Sequence, residues 1–108
     1  MCEVFTAQYS YRGPDRVDIT VKTGLQAFAP TWDMVMGYKR GSITKEEYTT
    51  RYHDMMVASY AENRATWEEL LARDRVVLVC FCPSGAFCHR VLLAHYLEKL
   101  GAHYGGEL

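Results

Sequence analysis

The sequence predicts a small single-domain α/β protein, a layered and mostly parallel sheet with flanking helices. Three observations predict it. The run Val76-Val77-Leu78-Val79-Cys80-Phe81 is apolar without interruption, as suits a strand of a parallel sheet that is covered on both faces. Between it and an earlier stretch of alternating polarity lie segments with helical spacing, so strands and helices are interspersed along the chain. The length, 108 residues, is enough for one domain and not for two.

Each element follows from local pattern. Residues 2–9, with Val4, Phe5 and Tyr9 among small and polar neighbours, read as a first strand, and Tyr11-Arg12-Gly13-Pro14-Asp15 reads as a turn. Val17, Ile19 and Val21 alternate with Asp18, Thr20 and Lys22, the pattern of a half-buried strand that Gly24 ends. Pro30 and Thr31 open a helix through Trp32, Val35, Met36 and Lys39, closed by Gly41. Thr44 and Glu47 form a Thr-x-x-Glu capping box ahead of a helix whose Tyr48, Tyr52, Met55, Met56 and Tyr60 share one side. Thr66 and Glu69 repeat the box ahead of Trp67, Leu70 and Leu71. After the apolar strand and the loop Cys82–Ala86, a last helix carries Val91, Leu92, Leu93, Tyr96, Leu97 and Leu100 and stops at Gly101. The tail 101–108, with three glycines, is expected to be irregular. Trp32, Tyr38, Tyr48, Tyr52 and Trp67 fall at helical spacings and are expected in core or interface.

Composition narrows the function classes. Half the residues (49%) are hydrophobic, which excludes a disordered chain. Twelve basic and thirteen acidic residues are spread evenly for a net charge of −1, so duplex nucleic acid is not an expected partner. The longest apolar run is too short to span a bilayer, and residues 1–7 carry no export signal, so a cytoplasmic protein with reduced thiols is expected. A domain this small gains from oligomerising, so a homo-oligomer stays open.

The chemistry concentrates in Cys80-Phe81-Cys82-Pro83-Ser84-Gly85-Ala86-Phe87-Cys88-His89-Arg90. Ligands of open α/β sheets collect at the carboxyl ends of strands, where a loop runs into a helix whose first N–H groups favour an anion. Gly85 permits close backbone approach, Ser84 can cap the helix or donate to a phosphate, and Arg90 can clasp a phosphate or carboxylate with two bonds. Cys82 belongs to the same loop. Tyr11 and Arg12 in the first turn, with Asp18 on the second strand, are candidates for the base, the phosphate and the sugar of a nucleotide-like ligand. Cys88 and His89 are the candidates for nucleophile and acid/base, although neighbours on a helix point in different directions. Neither a cysteine-phosphatase loop nor a Walker loop fits: six positions after Cys82 stands Cys88 instead of arginine, and Gly-Lys-Ser/Thr is absent.

A zinc set of Cys80, Cys82, Cys88 and His89 meets a geometric objection. Sulfurs on one tetrahedral zinc lie roughly 3.7 Å apart, whereas residues i and i+2 of an extended strand are roughly 6.6 Å apart. Cys80 and Cys82 can share a metal only if the strand bends at Cys82, a bend that Pro83 allows. No cofactor is therefore expected.

Cys80-x-Cys82 with Cys88-His89-Arg90 running into an apolar helix resembles the C-terminal signature of the family catalogued as domain of unknown function four-eight-eight. Tyr11–Asp15, Phe28-Ala29-Pro30-Thr31-Trp32 and Tyr38-Lys39-Arg40-Gly41 resemble a short subgroup of bacteria and their phages. The resemblance implies that Asp18, Cys88, His89 and Arg90 line one pocket. Where the broader family tends to show Asp-x-Arg this chain has Asp18-Ile19-Thr20, which leaves Arg12, Lys22 or Arg16 to replace the second anion-binding arginine. Three readings follow. The first is binding, and processing if the site is catalytic, of a small phosphorylated or nucleotide-derived ligand. The second is a structural zinc or thiol-redox module, and the third a non-catalytic interaction or oligomerisation domain.

Overall fold

A computed structural model describes residues 2–81 and 87–108. The elements run β1 (Glu3–Gln8), β2 (Arg16–Asp18), α1 (Trp32–Lys39), α2 (Lys45–Glu62), α3 (Arg64–Leu71), β3 (Arg75–Cys80), α4 (His89–Lys99) and β4 (His103–Glu107). The sheet has the order β2-β3-β1-β4, and every pairing is parallel. The α/β class with a parallel sheet is thus as the sequence predicts.

The period of two along β3 divides its side chains between two environments. Val76, Leu78 and Cys80 join the large core beneath the helices, with Val4, Tyr52, Trp67, Leu93 and Leu97. Val77 and Val79 face the other way, with Ala7, and are covered by Phe5, Tyr9 and Tyr11. The cover is the β1–β2 connection: Tyr11 Oη donates to Asp15 at 2.7 Å, and the Arg16 guanidinium donates to the Tyr9 and Tyr11 carbonyls while lying over the Tyr9 ring. A tight connection, in place of a helix, therefore buries the second face of β3. Among the described residues, no helix is long and apolar enough to cross a membrane.

Helix starts follow their caps in two of three expected places. Thr31 accepts from Met34 N and Thr44 from Glu47 N, each fixing a first turn. The third helix differs. It begins at Arg64 with Asn63 as its N-cap, so Thr66 lies inside the first turn. Packing decides this: Ser59 on α2 donates to the Ala27 carbonyl and accepts from the Trp67 indole N–H at 3.0 Å, which places α3 directly after α2.

Two strand expectations are also corrected. The second strand ends at Asp18 instead of reaching Val21, because Asp18 accepts from Thr20 N and from the Thr23 hydroxyl and curls the chain. The tail is not irregular: His103–Glu107 pairs with β1 as the edge strand β4. Its glycines are what admit it. A side chain at Gly105 would run into the Phe5 ring, and Gly106 sits at φ 109°.

Candidate functional site

β3 ends at Cys80, and the chain returns through Phe87 and Cys88 into α4. The loop residues Cys82, Ser84 and Gly85, to which ligand contacts were assigned above, lie outside the described residues. Cys88 is the N-cap of α4, with extended backbone (φ −155°, ψ 151°) and no cap bond from its side chain. Its side chain is thereby free of helical direction, and its Sγ meets Cys80 Sγ with the two Cα atoms 7.9 Å apart. The same conformation brings Cys88 Sγ to 3.6 Å from Nδ1 of His89. The expectation that neighbours on a helix diverge does not apply, because Cys88 precedes the first helical turn.

His89 is 5% exposed, and its Nε2 is 2.7 Å from the Ile19 carbonyl oxygen. A carbonyl only accepts, so Nε2 carries the proton and Nδ1 presents its lone pair to Cys88. Burial lowers the His89 pKa to about 4, with the nearby Arg90 charge acting in the same sense and the Ile19 bond opposing. The imidazole is neutral at physiological pH.

Arg90 is buried (1% exposed). Its Nε and Nη2 donate to the two Glu107 oxygens at 3.2 and 2.9 Å, and Nη1 donates to Cys80 Sγ at 3.0 Å. The two-bond contact expected of Arg90 is thus made to a carboxylate of the chain itself, which β4 delivers. Burial alone would raise the Glu107 pKa, but the Arg90 bonds, with help from Thr6, outweigh it and hold the carboxyl below its ordinary range.

Over this group opens a cleft of about 300 Å³. Cys80, Cys88 and His89 line it, as do Phe81 and Phe87 on either side of the loop. The turn after β2 contributes Thr20, Val21 and Lys22; α1 contributes Trp32, Val35, Tyr38 and Lys39. Trp32 is 53% exposed and offers a ring face to the cleft.

Of the four residues that the resemblance implies line one pocket, Cys88 and His89 line the cleft while Arg90 and Asp18 are not among its lining residues, and the other candidates are distributed. Asp18 sits at the end of β2 next to Ile19, and its carboxylate faces the 18–24 turn. There the Thr23 and Thr20 bonds outweigh burial and lower its pKa. Its service to the site is to shape the wall that bears Thr20 to Lys22. Tyr11 packs on the opposite face of the sheet, bonded to Asp15, and Arg12 is exposed on the same connection. Of the three cations that the resemblance leaves to replace a missing arginine, Lys22 lines the cleft, whereas Arg16 is engaged by Tyr9 and Tyr11. Trp32, Tyr38 and Lys39 line the cleft although sequence reasoning assigned them elsewhere, and Phe87, inside the Cys80–Arg90 stretch, had been given no role. Glu107 was missed entirely, for its partner is seventeen residues away and no local pattern marks it.

The wall depends on Gly24. A Cβ there would lie 2.6 Å from the Asp18 and Thr20 carbonyl oxygens. Gly24→Ala is expected to cost about 1–3 kcal/mol, the range for forced overpacking, read as a lower midpoint in urea denaturation. An unchanged midpoint would show that the turn re-forms without strain.

A family model described as the active DUF488-N3 subclade matches residues 1–101. No curated protein and no solved structure matches the chain.

Proposed function

Since this chain belongs to the active DUF488-N3 subclade, we propose that its cleft binds a small phosphorylated, nucleotide-derived ligand and presents it to Cys80, Cys88 and His89. The observation that carries this reading is the make-up of the cleft. Aromatic rings line it, two lysines flank it, and its reactive groups lie together at one place. An exposed indole beside a cleft offers a stacking face for a base, and Lys22 and Lys39 offer charge to a phosphate. A volume near 300 Å³ is at the small end of ligand sites, a size suited to a mononucleotide and not to a polymer.

The anion contact falls to the lysines, because Arg90 serves the interior. With Glu107 on Nε and Nη2 and Cys80 on Nη1, the guanidinium is a positioning group that holds the Cys80 sulfur at the cleft. His89, neutral and held by Ile19, orients the Cys88 thiol by accepting its proton in a hydrogen bond.

Tryptophan fluorescence tests the reading. Trp67 is 1% exposed and supplies a constant background, so quenching on addition of AMP, ADP-ribose or a cyclic nucleotide reports Trp32. Trp32→Ala is expected to weaken the best of these roughly tenfold or more, since a base stacked on an aromatic ring contributes about 1–3 kcal/mol. Lys39→Ala is expected to weaken phosphorylated compounds and leave the nucleosides unchanged. If no phosphorylated compound quenches Trp32 or raises the melting temperature, the reading is wrong.

A further inference from the structure

Resting on the reading that the thiols and imidazole form the reactive end of the cleft, we infer that Cys80, Cys88 and His89 supply three ligands to a zinc-type divalent cation at the cleft. The three side chains are buried, and their donor atoms all lie within 4.8 Å of one another. Two thiolates and an imidazole are the donor set that selects zinc among common divalent metals.

The sulfur–nitrogen distance and the backbone separation agree with that assignment. With Zn–S near 2.3 Å and Zn–N near 2.0 Å, a tetrahedral site puts a sulfur and a ligating nitrogen roughly 3.5 Å apart. Cys88 Sγ and His89 Nδ1 are 3.6 Å apart. The Cys80 and Cys88 Cα atoms, 7.9 Å apart, lie beyond the usual disulfide range of roughly 4.4–6.8 Å. To take an ion between them the two sulfurs, which are in contact in this structure, move apart by side-chain rotation.

The surrounding groups are those a metal site requires. A ligating histidine commonly donates its other ring N–H to a backbone carbonyl, which fixes the tautomer; His89 Nε2 does so to Ile19 and leaves Nδ1 as the donor atom. Arg90 donates to Cys80 Sγ from the far side of the cleft lining, a charge-assisted bond that suits a coordinated thiolate. Two thiolates offset the charge of one divalent cation, while Glu107 offsets Arg90, so the buried group is electrically balanced. The zinc objection raised from the sequence concerned Cys80 with Cys82. The fold pairs Cys80 with Cys88 instead, and the objection does not touch that pair. Among the described residues the set offers three protein ligands and lines the cleft, so a ligand oxygen that enters the cleft comes beside the ion.

The test is metal analysis of the full chain purified without chelators. About one zinc per chain is expected, with most of it lost in Cys88→Ser and in His89→Ala and retained in Cys2→Ser, whose thiol lies near Leu70 at the other end of the sheet. Cobalt(II) replacing zinc should give the intense visible bands of a tetrahedral site together with thiolate charge-transfer absorption, and AMP should alter those bands. Should the site variants fail to fold, the wild-type metal count and cobalt spectrum decide alone. Metal-free wild-type protein with an unchanged circular dichroism spectrum, or a Cys80–Cys88 disulfide found by peptide mapping, would overturn the inference. The Trp32 titration separates the two readings. Quenching by AMP in protein that binds no metal leaves the ligand proposal standing and removes this one; metal without any phosphorylated ligand does the reverse.

Discussion

Glu107→Ala should destabilise the protein by about 1–3 kcal/mol, the cost of taking from the buried Arg90 the carboxylate that accepts two of its hydrogen bonds. Arg90 is 1% exposed while the Glu107 side chain is 24% exposed, so the pair is open to water on its carboxylate side and the loss falls short of that for a fully buried pair. For a domain of this size the loss lowers the melting temperature by on the order of 10 °C. The double variant Arg90→Met, Glu107→Leu should recover much of that stability, because well-packed apolar groups often substitute for a buried pair at little cost. Thermal melts of the three proteins check the stabilities. Equal melting temperatures for wild type and Glu107→Ala would mean that β4 is not held by this pair.

The same pair sets an acid limit. The folded Glu107 carboxyl titrates below its ordinary value of 4.5. Its contribution is therefore fully present above that value and is lost as the pH falls through the lower, folded value. Glu107→Gln should flatten this part of the acid limb of a melting-temperature profile.

The second large effect distinguishes the two tryptophans. Trp67→Ala should cost about 3–5 kcal/mol, as for a large aromatic removed from a core. The indole packs edge-on to Phe28 with centroids 4.9 Å apart, contacts Tyr60, and donates to Ser59, the hydroxyl that ties α2 to the Ala27 carbonyl. Trp67→Phe should cost less, because the ring still fills space while the Ser59 bond is lost. Trp32→Ala should change stability by no more than about 0.5 kcal/mol, the usual range at exposed positions. Denaturant midpoints for the three variants decide the matter. A Trp32→Ala protein as unstable as Trp67→Ala would place Trp32 in the core and remove it from the cleft wall.

Sequence reasoning treats these tryptophans alike, since both stand at helical spacing beside apolar neighbours. Only the packing of α1 at the cleft and of α3 beneath α2 separates them. Cys88 shows the same limit at shorter range. Its neighbourhood to His89 is plain in the sequence, but whether the side chains meet depends on the helix starting at His89 and not one residue earlier.

What the sequence by itself determined is local. Apolar residues among small and polar neighbours mark β1, and an unbroken apolar run specifies β3, because a doubly covered strand has no polar side. Threonine caps set the starts of α1 and α2, because unpaired first-turn N–H groups need an acceptor within three residues. The Cys-His-Arg block at the end of β3 marked the place of the site and the family. Tertiary structure decided the rest. Glycines usually weaken a strand, yet Gly105 and Gly106 lie in β4, because Phe5 requires a partner without a side chain. Parallel pairing joins residues far apart in the chain, so it alone could give the Arg90 fork to Glu107. It also seats His89 against Ile19 at the end of β2, a separation of seventy residues. The meeting of Cys80 with Cys88 depends on where the sheet places the end of β3 relative to the start of α4. None of these contacts leaves a periodic trace, because each is set by where the sheet places two distant backbones.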